Sequence, residues 1–190
     1  MAKIGLYFGS FNPVHIGHMA IANYMVAYTD MEQLWFVISP QNPFKKRGTL
    51  LADHHRFELV ERAVAGDDRF RASDIEFRMP VPSYTIDTLA WLEERYPSHE
   101  FVIIMGSDGL PGFSQWKNAA ALQQQYRRYV YPRPGYAVDL TEQENLEMVD
   151  APLMEISSSF IRKAIGEGKD IRHFIPPAAW HYLDEMNFYR

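Results

Sequence analysis

The chain has 190 residues, 47% of them apolar, with no cysteine and a formal net charge of −5. A chain of this length buries a core without staples, and the missing thiols exclude disulfides, zinc-thiolate centres and thiol nucleophiles together. No apolar run is long enough to cross a bilayer and the first residues do not read as a secretion signal, so a cytoplasmic protein with no membrane partner is expected; the acidic balance argues against broad nucleic-acid binding.

Residues 3–8 form a continuous apolar run stopped by Gly9, the pattern of a short buried strand. From Ile16 the spacing turns helical: Ile16, Met19, Ala20, Asn23, Tyr24 and Ala27 recur, and Pro13 sits just ahead of the start. Residues 34–38 read as a second strand, followed by a proline-rich loop. A helix is expected over 52–65, with Phe57, Val60 and Val64 as its stripe, then a strand near 70–75 and a helix over 85–95. Residues 101–105 are the clearest buried strand, 128–131 a fifth, and helices over about 158–166 and 177–187 finish the chain. Apolar strands alternating with helices predict an α/β fold, a parallel sheet covered on both faces. With no repeat or linker, residues 1–190 read as one domain with a short helical part from about 156. Ligands of such sheets lie at the carboxyl ends of the strands, near the point where strand order reverses. The loops to inspect are therefore 9–15, 39–50, 106–117 and 132–136.

The first of these loops lies in GSFNPVHIGH, residues 9–18. The Gly-x-Gly-x-x-Gly fingerprint and the P-loop are both absent, yet a strand, a glycine turn and a helix start follow one another. A helix start offers free N–H groups and a positive dipole end to an anion. His15 and His18, three apart, would share a helix face, and Gly17 between them would let a ligand approach the backbone. Beside an anion both imidazoles would have their charged forms favoured. A metal pair or plain surface histidines are the bland alternatives.

Residues 9–18 resemble the Gly-Thr/Ser-Phe-Asp-Pro-x-His-x-Gly-His signature of the nucleotidyltransferase superfamily, and ISSSFIR at 156–162 resembles its second signature, about 140 residues later. SYTIDTL at 83–89, Gly106 and Asp108 followed by Phe113 and Trp116, and RPGY at 133–136 are similar to motifs of the bacterial nicotinate mononucleotide adenylyltransferases within it. The resemblance spans nearly the whole chain and implies a Rossmann-like, doubly wound fold. The family usually carries Asp where this chain has Asn12, and often Thr at Ser10. It implies transfer of AMP from ATP to nicotinate mononucleotide, giving nicotinate adenine dinucleotide and pyrophosphate, in NAD biosynthesis.

Carried over residue by residue, it implies an ATP site from Gly9, Ser10, Phe11, His15, Gly17, His18, Gly106, Asp108, Ile156, Ser158, Ser159 and Arg162, with His15, His18 and Arg162 catalytic. It implies a mononucleotide site from Ser10, Asn12, Lys46, Tyr84, Thr85, Trp116 and Arg133. Lys46 is chosen from the tight basic run 45–47, whose bland reading is a solvated loop. The bland readings of Ser157 to Ser159 and of Trp116 are a helix N-cap and a packing aromatic. Mg²⁺ is expected with ATP, held by phosphates and water with no dedicated protein ligands. A homo-oligomer is left open. The alternatives are another adenylyl or cytidylyl transferase of the superfamily, such as one acting on phosphopantetheine, or a nucleotide-binding protein without turnover. A class I aminoacyl-tRNA synthetase would need more chain.

Overall fold

The computed structural model describes residues 1–40, 50–136 and 145–190. Six strands form one parallel sheet: β1 (Ala2–Gly9), β2 (Gln33–Ile38), β3 (Phe70–Ser73), β4 (His99–Gly106), β5 (Arg128–Tyr131) and β6 (Leu146–Met148), in the order β3-β2-β1-β4-β5-β6. That is the order of doubly wound nucleotide-binding sheets, in which the order of the strands reverses at the boundary between β1 and β4. The crevice outside the carboxyl ends of those two strands is where such a sheet admits a ligand.

The strands alternate in what they bury. Leu34, Phe36 and Ile38 of β2, with Val102 and Ile104 of β4, pack into one core with α1 (Ile16–Tyr28), α2 (Asp53–Val64), α5 (Ser158–Gly166) and α6 (Pro177–Glu185). Ile4 and Leu6 of β1, Trp35 and Val37 of β2, and Phe101, Ile103 and Met105 of β4 pack into the opposite core, under α3 (Thr85–Arg95) and α4 (Ala119–Gln125). Burial on both faces explains why these strands read as continuous apolar runs. Each fully buried Leu, Ile or Phe contributes about 1.5–3 kcal/mol.

The expected helices over 85–95 and 158–166 match α3 and α5 end to end, and the other expected elements lie within a few residues of the observed ones. The third strand stops at Ser73, because Ile75 turns inward as the start of a 3-10 turn (Ile75–Arg78). Besides short 3-10 turns, one strand and one α-helix among the described residues are new. β6 is three residues, Leu-Glu-Met, too short to show a pattern, and α4, Ala-Ala-Ala-Leu-Gln-Gln-Gln, buries only Leu122. No helix among the described residues is long and apolar enough to cross a membrane.

One polar group sits deep in the first core. Arg56 of α2 is completely buried, on the same helix face as Leu59, Val60 and Val64. Its Nε donates to the carbonyl of Leu51 (2.9 Å), its Nη1 to those of Ser10 (2.7 Å) and Ser39 (2.8 Å), and its Nη2 to that of Pro40 (3.2 Å). Burial pulls its pKa down, but an arginine keeps its charge under any ordinary condition. The guanidinium thus ties the exits of β1 and β2 to the start of α2. Arg56→Met should cost at least about 3 kcal/mol, read from the urea midpoint, because it orphans several buried carbonyls. Arg56→Lys should recover only part of this, since an ammonium cannot span the four acceptors.

Candidate active site at the exits of β1 and β4

Between Gly9 and α1 the backbone is held from behind. Besides the bond from Arg56 to Ser10, Arg162 Nη1 donates to the carbonyl of Asn12 (2.8 Å) and the Ser158 hydroxyl to that of Pro13 (2.9 Å). The Ser10–Phe11 and Pro13–Val14 peptides are not among the cis bonds of the described residues, so fixing the carbonyls of Ser10 and Pro13 turns the N–H groups of Phe11 and Val14 the opposite way. Phe11 has a φ of +44° and folds its ring over Gly9, where a Cβ would lie 2.8 Å from it.

His15 is the N-cap of α1, and its ring stacks on that of His18, with centroids 3.7 Å apart. The shared face expected for the pair is therefore observed. The His15 N–H donates to His18 Nδ1 (3.2 Å), which leaves the proton of a neutral His18 on Nε2. His18 also meets the edges of Tyr7 and Phe11.

His15 is 5% exposed, and burial, aided by Arg133, lowers its pKa to about 4. With no anion beside it, desolvation outweighs the helix end and His15 is neutral near pH 7. Its buried Nδ1 has no hydrogen-bond partner. That atom faces Gly17, where a Cβ would stand 3.0 Å from it and 3.7 Å from the Cβ of Ile156. The glycine accommodates the His15 ring as well as keeping the backbone open.

The other strand exits bring the rest of this cluster. Gly106 ends β4, and a Cβ there would run into the Asp108 carboxylate and crowd Arg133 Cγ at 3.0 Å. Asp108, in a 3-10 turn (Ser107–Gly109), pairs with Arg133 Nε at 3.8 Å. The Arg133 backbone N–H donates to the Ser107 hydroxyl (2.9 Å), and its Nη1 to the carbonyl of Met154 (3.0 Å). Beneath them the hydroxyls of Tyr7 and Tyr131 lie 3.0 Å apart, both with pKa values raised by burial. Ser157 is the N-cap of α5, accepting from the Phe160 N–H (3.2 Å), so the cap reading holds. Ser159 is exposed and accepts from Arg162 Nη2 (3.2 Å). Asn12 is buried, and its Oδ1 accepts from the Leu51 N–H (3.2 Å) and the Tyr189 hydroxyl (2.6 Å).

A second cluster surrounds the start of α3. Tyr84 is its N-cap and Thr85 its first residue; the Asp87 N–H donates to the Tyr84 carbonyl (2.9 Å), so the N–H groups of Thr85 and Ile86 are the ones a helix start offers an anion. Lys117 joins this start to the Trp116 segment: its Nζ bonds both Asp87 oxygens (3.0 and 2.7 Å) and lies 5.0 Å from the centre of the Tyr84 ring. Trp116 is half-buried, its ring 5.2 Å from that of buried Phe113. Below the helix start, Glu76 is 2% exposed and accepts from the hydroxyls of Ser83 (2.6 Å) and Thr88 (2.8 Å). The Ser39 hydroxyl also reaches it, and burial raises its pKa. Lys46 lies outside the described residues.

Sequence reasoning missed Arg56, Glu76, Lys117 and Tyr189. Arg56 left a signal, an arginine in line with the apolar stripe of α2. The others left none, because their partners are remote in sequence or are common polar residues.

Comparison with known proteins agrees with this geometry. The cytidylyltransferase-like family model matches residues 6–164. Proteins named "Probable nicotinate-nucleotide adenylyltransferase" from Christiangramia forsetii and Cytophaga hutchinsonii are 47% and 49% identical to the chain, over 99% and 98% of it and 98% of each relative. One of the same name from Bacteroides fragilis is 46% identical over 94% of this chain and 89% of its own. Among solved structures, the Plasmodium falciparum nicotinic acid mononucleotide adenylyltransferase complexed with NaAD superposes with a TM-score of 0.84, covering 100% of this chain and 98% of that one. At 22% identity that likeness speaks for the fold alone. The chain belongs to the cytidylyltransferase-like family, among the relatives that carry the nicotinate-nucleotide adenylyltransferase name.

Proposed function

We propose that the chain transfers AMP from ATP to nicotinate mononucleotide, releasing pyrophosphate and forming nicotinate adenine dinucleotide. The observation that carries this reading is the buried, unpartnered Nδ1 of His15 beside the bare Cα of Gly17, at a helix start and at the reversal point of the sheet. An imidazole nitrogen desolvated without a partner is costly. A phosphate oxygen entering beside Gly17 would supply one and would draw the ring toward its charged form.

The acceptor's phosphate is ionised at neutral pH, so no general base is needed, and catalysis rests on alignment and charge stabilisation. We assign the ATP phosphates to the segment Gly9, Ser10, Phe11, His15, Gly17, His18 and to Ser158, Ser159 and Arg162. His18, with its proton on Nε2, donates to the α-phosphate as charge grows there. Ile156 closes the wall beside Gly17. Gly106 and Asp108 would receive the adenosine. Ser10, Asn12, Lys46, Tyr84, Thr85, Trp116 and Arg133 are assigned to the mononucleotide: the free N–H groups after Tyr84 suit a carboxylate edge, and the Trp116 face suits a flat ring. Arg56 and Arg162 stand behind the loop of residues 9–18, and Arg133 lies beside Asp108. Among the described residues no three His, Cys, Asp or Glu side chains converge as a metal site. Asp108, bound to Arg133, fits an ion that arrives with the triphosphate and keeps its water. Bound there, Mg²⁺ would neutralise phosphate charge.

Pyrophosphate release from ATP with nicotinate mononucleotide, but not with phosphopantetheine, is the expected outcome of an acceptor panel; release with phosphopantetheine alone would overturn the reading. His18→Ala should lower kcat by about a hundredfold or more while moving either KM only a few-fold, in steady-state assays. His15 adds a pH dependence to stability. Its folded pKa is about 4 against 6.5 unfolded, so between those values the unfolded chain binds the proton that the folded chain refuses. Stability therefore falls as pH drops through that window, by roughly 3 kcal/mol from this group. His15→Gln should remove that part, seen as a flatter difference between urea midpoints at pH 7 and pH 4.5.

A further inference from the structure

We infer that Tyr189, beyond α6, is a positioning residue for the loop that carries His15 and His18, a role that rests on the function proposed above. Three observations converge on it. First, Tyr189 has a φ of +67°, a left-handed conformation that costs a bulky residue roughly 1–2 kcal/mol. Such a conformation persists only where its surroundings hold it, and here they do. The Phe188 N–H donates to the carbonyl of Leu183 (3.1 Å), and the Phe188 ring packs 4.8 Å from that of His55, next to Arg56 on α2.

Second, the strained backbone delivers the Tyr189 hydroxyl to Asn12 Oδ1 at 2.6 Å. Burial raises the phenol's pKa, with Arg162 and Arg56 the nearby charges opposing that rise, so the hydroxyl remains a donor at any working pH. Tyr189 thus sits close to the two guanidiniums that hold the carbonyls of Ser10 and Asn12.

Third, the partners fix the orientation of Asn12. The Leu51 N–H can only donate, so the side-chain atom facing it and Tyr189 must be the oxygen, and Nδ2 is turned to the other side. An aspartate, usual in the resembled family, would accept the same two bonds, so Asn12 keeps this function without the charge. Side chain and carbonyl of Asn12 are then both anchored, three residues before His15. The latch does not touch the reacting atoms. It holds the loop in the geometry in which they are aligned, where even a shift of about 1 Å lowers the rate about a hundredfold.

The test is Tyr189→Phe, which keeps the ring and removes the bond. With ATP and nicotinate mononucleotide, kcat should fall about tenfold while each KM changes less than about threefold, a loss of about 1.4 kcal/mol in the transition state. Amide exchange of residues 9–18 in the substrate-free protein should accelerate, with the thermal midpoint checking that the variant is folded. In an Asn12→Ala background the same change should add nothing further to the kcat loss, since the acceptor is already gone. Unchanged kcat and unchanged exchange would overturn the latch, as would additive losses in that double-variant cycle. Faster exchange in Tyr189→Phe, alongside a wild type that releases no pyrophosphate, would sink the proposed reaction and leave the latch standing.

Discussion

A fully buried guanidinium with four backbone carbonyls as partners is the constraint on which the rest of the site depends. Arg56 donates to Ser10, Ser39, Pro40 and Leu51, and these carbonyls belong to the exits of two neighbouring strands and the approach to α2. Loop backbone beside a core must satisfy its own polar groups, and loops rarely achieve that alone. Here one side chain does it for two loops. Arg162 and Ser158, one turn apart at the start of α5, continue the arrangement along Asn12 and Pro13. The loop that holds the two histidines is therefore suspended from helices α2 and α5, which sit in the same core.

The topology explains why these supports meet. With strand order β3-β2-β1-β4-β5-β6, chain segments far apart in sequence end side by side at the β1–β4 boundary. Gly9 and Gly106 close their strands there and Tyr131 closes the next one, β5, and each is followed by a short turn bearing polar side chains. Close approach replaces bulk at two of them. The Phe11 ring fills the space over Gly9, and Asp108 with Arg133 fills that over Gly106. Burial leaves His15 neutral near pH 7, so the helix end rather than that imidazole offers the loop its positive dipole.

Much of this was legible in the residues. Alternating apolar runs predicted the sheet, and the boundaries of α3 and α5 could be read to the residue. Residues 9–18 pointed to the crevice because a strand, a glycine turn and a helix start in that order have one common use. What escaped notice has physical reasons. Leu-Glu-Met is too short for a period, and α4 is alanine and glutamine with a single buried leucine. The charge on His15 could not be read because its burial, and the Arg133 charge that adds to it, come from segments remote in sequence. Asn12 looked like a mere departure from a motif until its oxygen was seen to serve Leu51 and Tyr189.

Glu76 bears on how such a site can change. Its buried carboxylate gathers hydroxyls from Ser39 at the exit of β2 and from Ser83 and Thr88 around the start of α3. Two walls of the crevice are thereby fastened to one acid and cannot tilt separately. Selection for a different acceptor would then work on the side chains displayed from this frame, at positions such as Tyr84 and Trp116. Bending the frame itself would strand a desolvated carboxylate, so the architecture is conservative while its specificity stays open to drift.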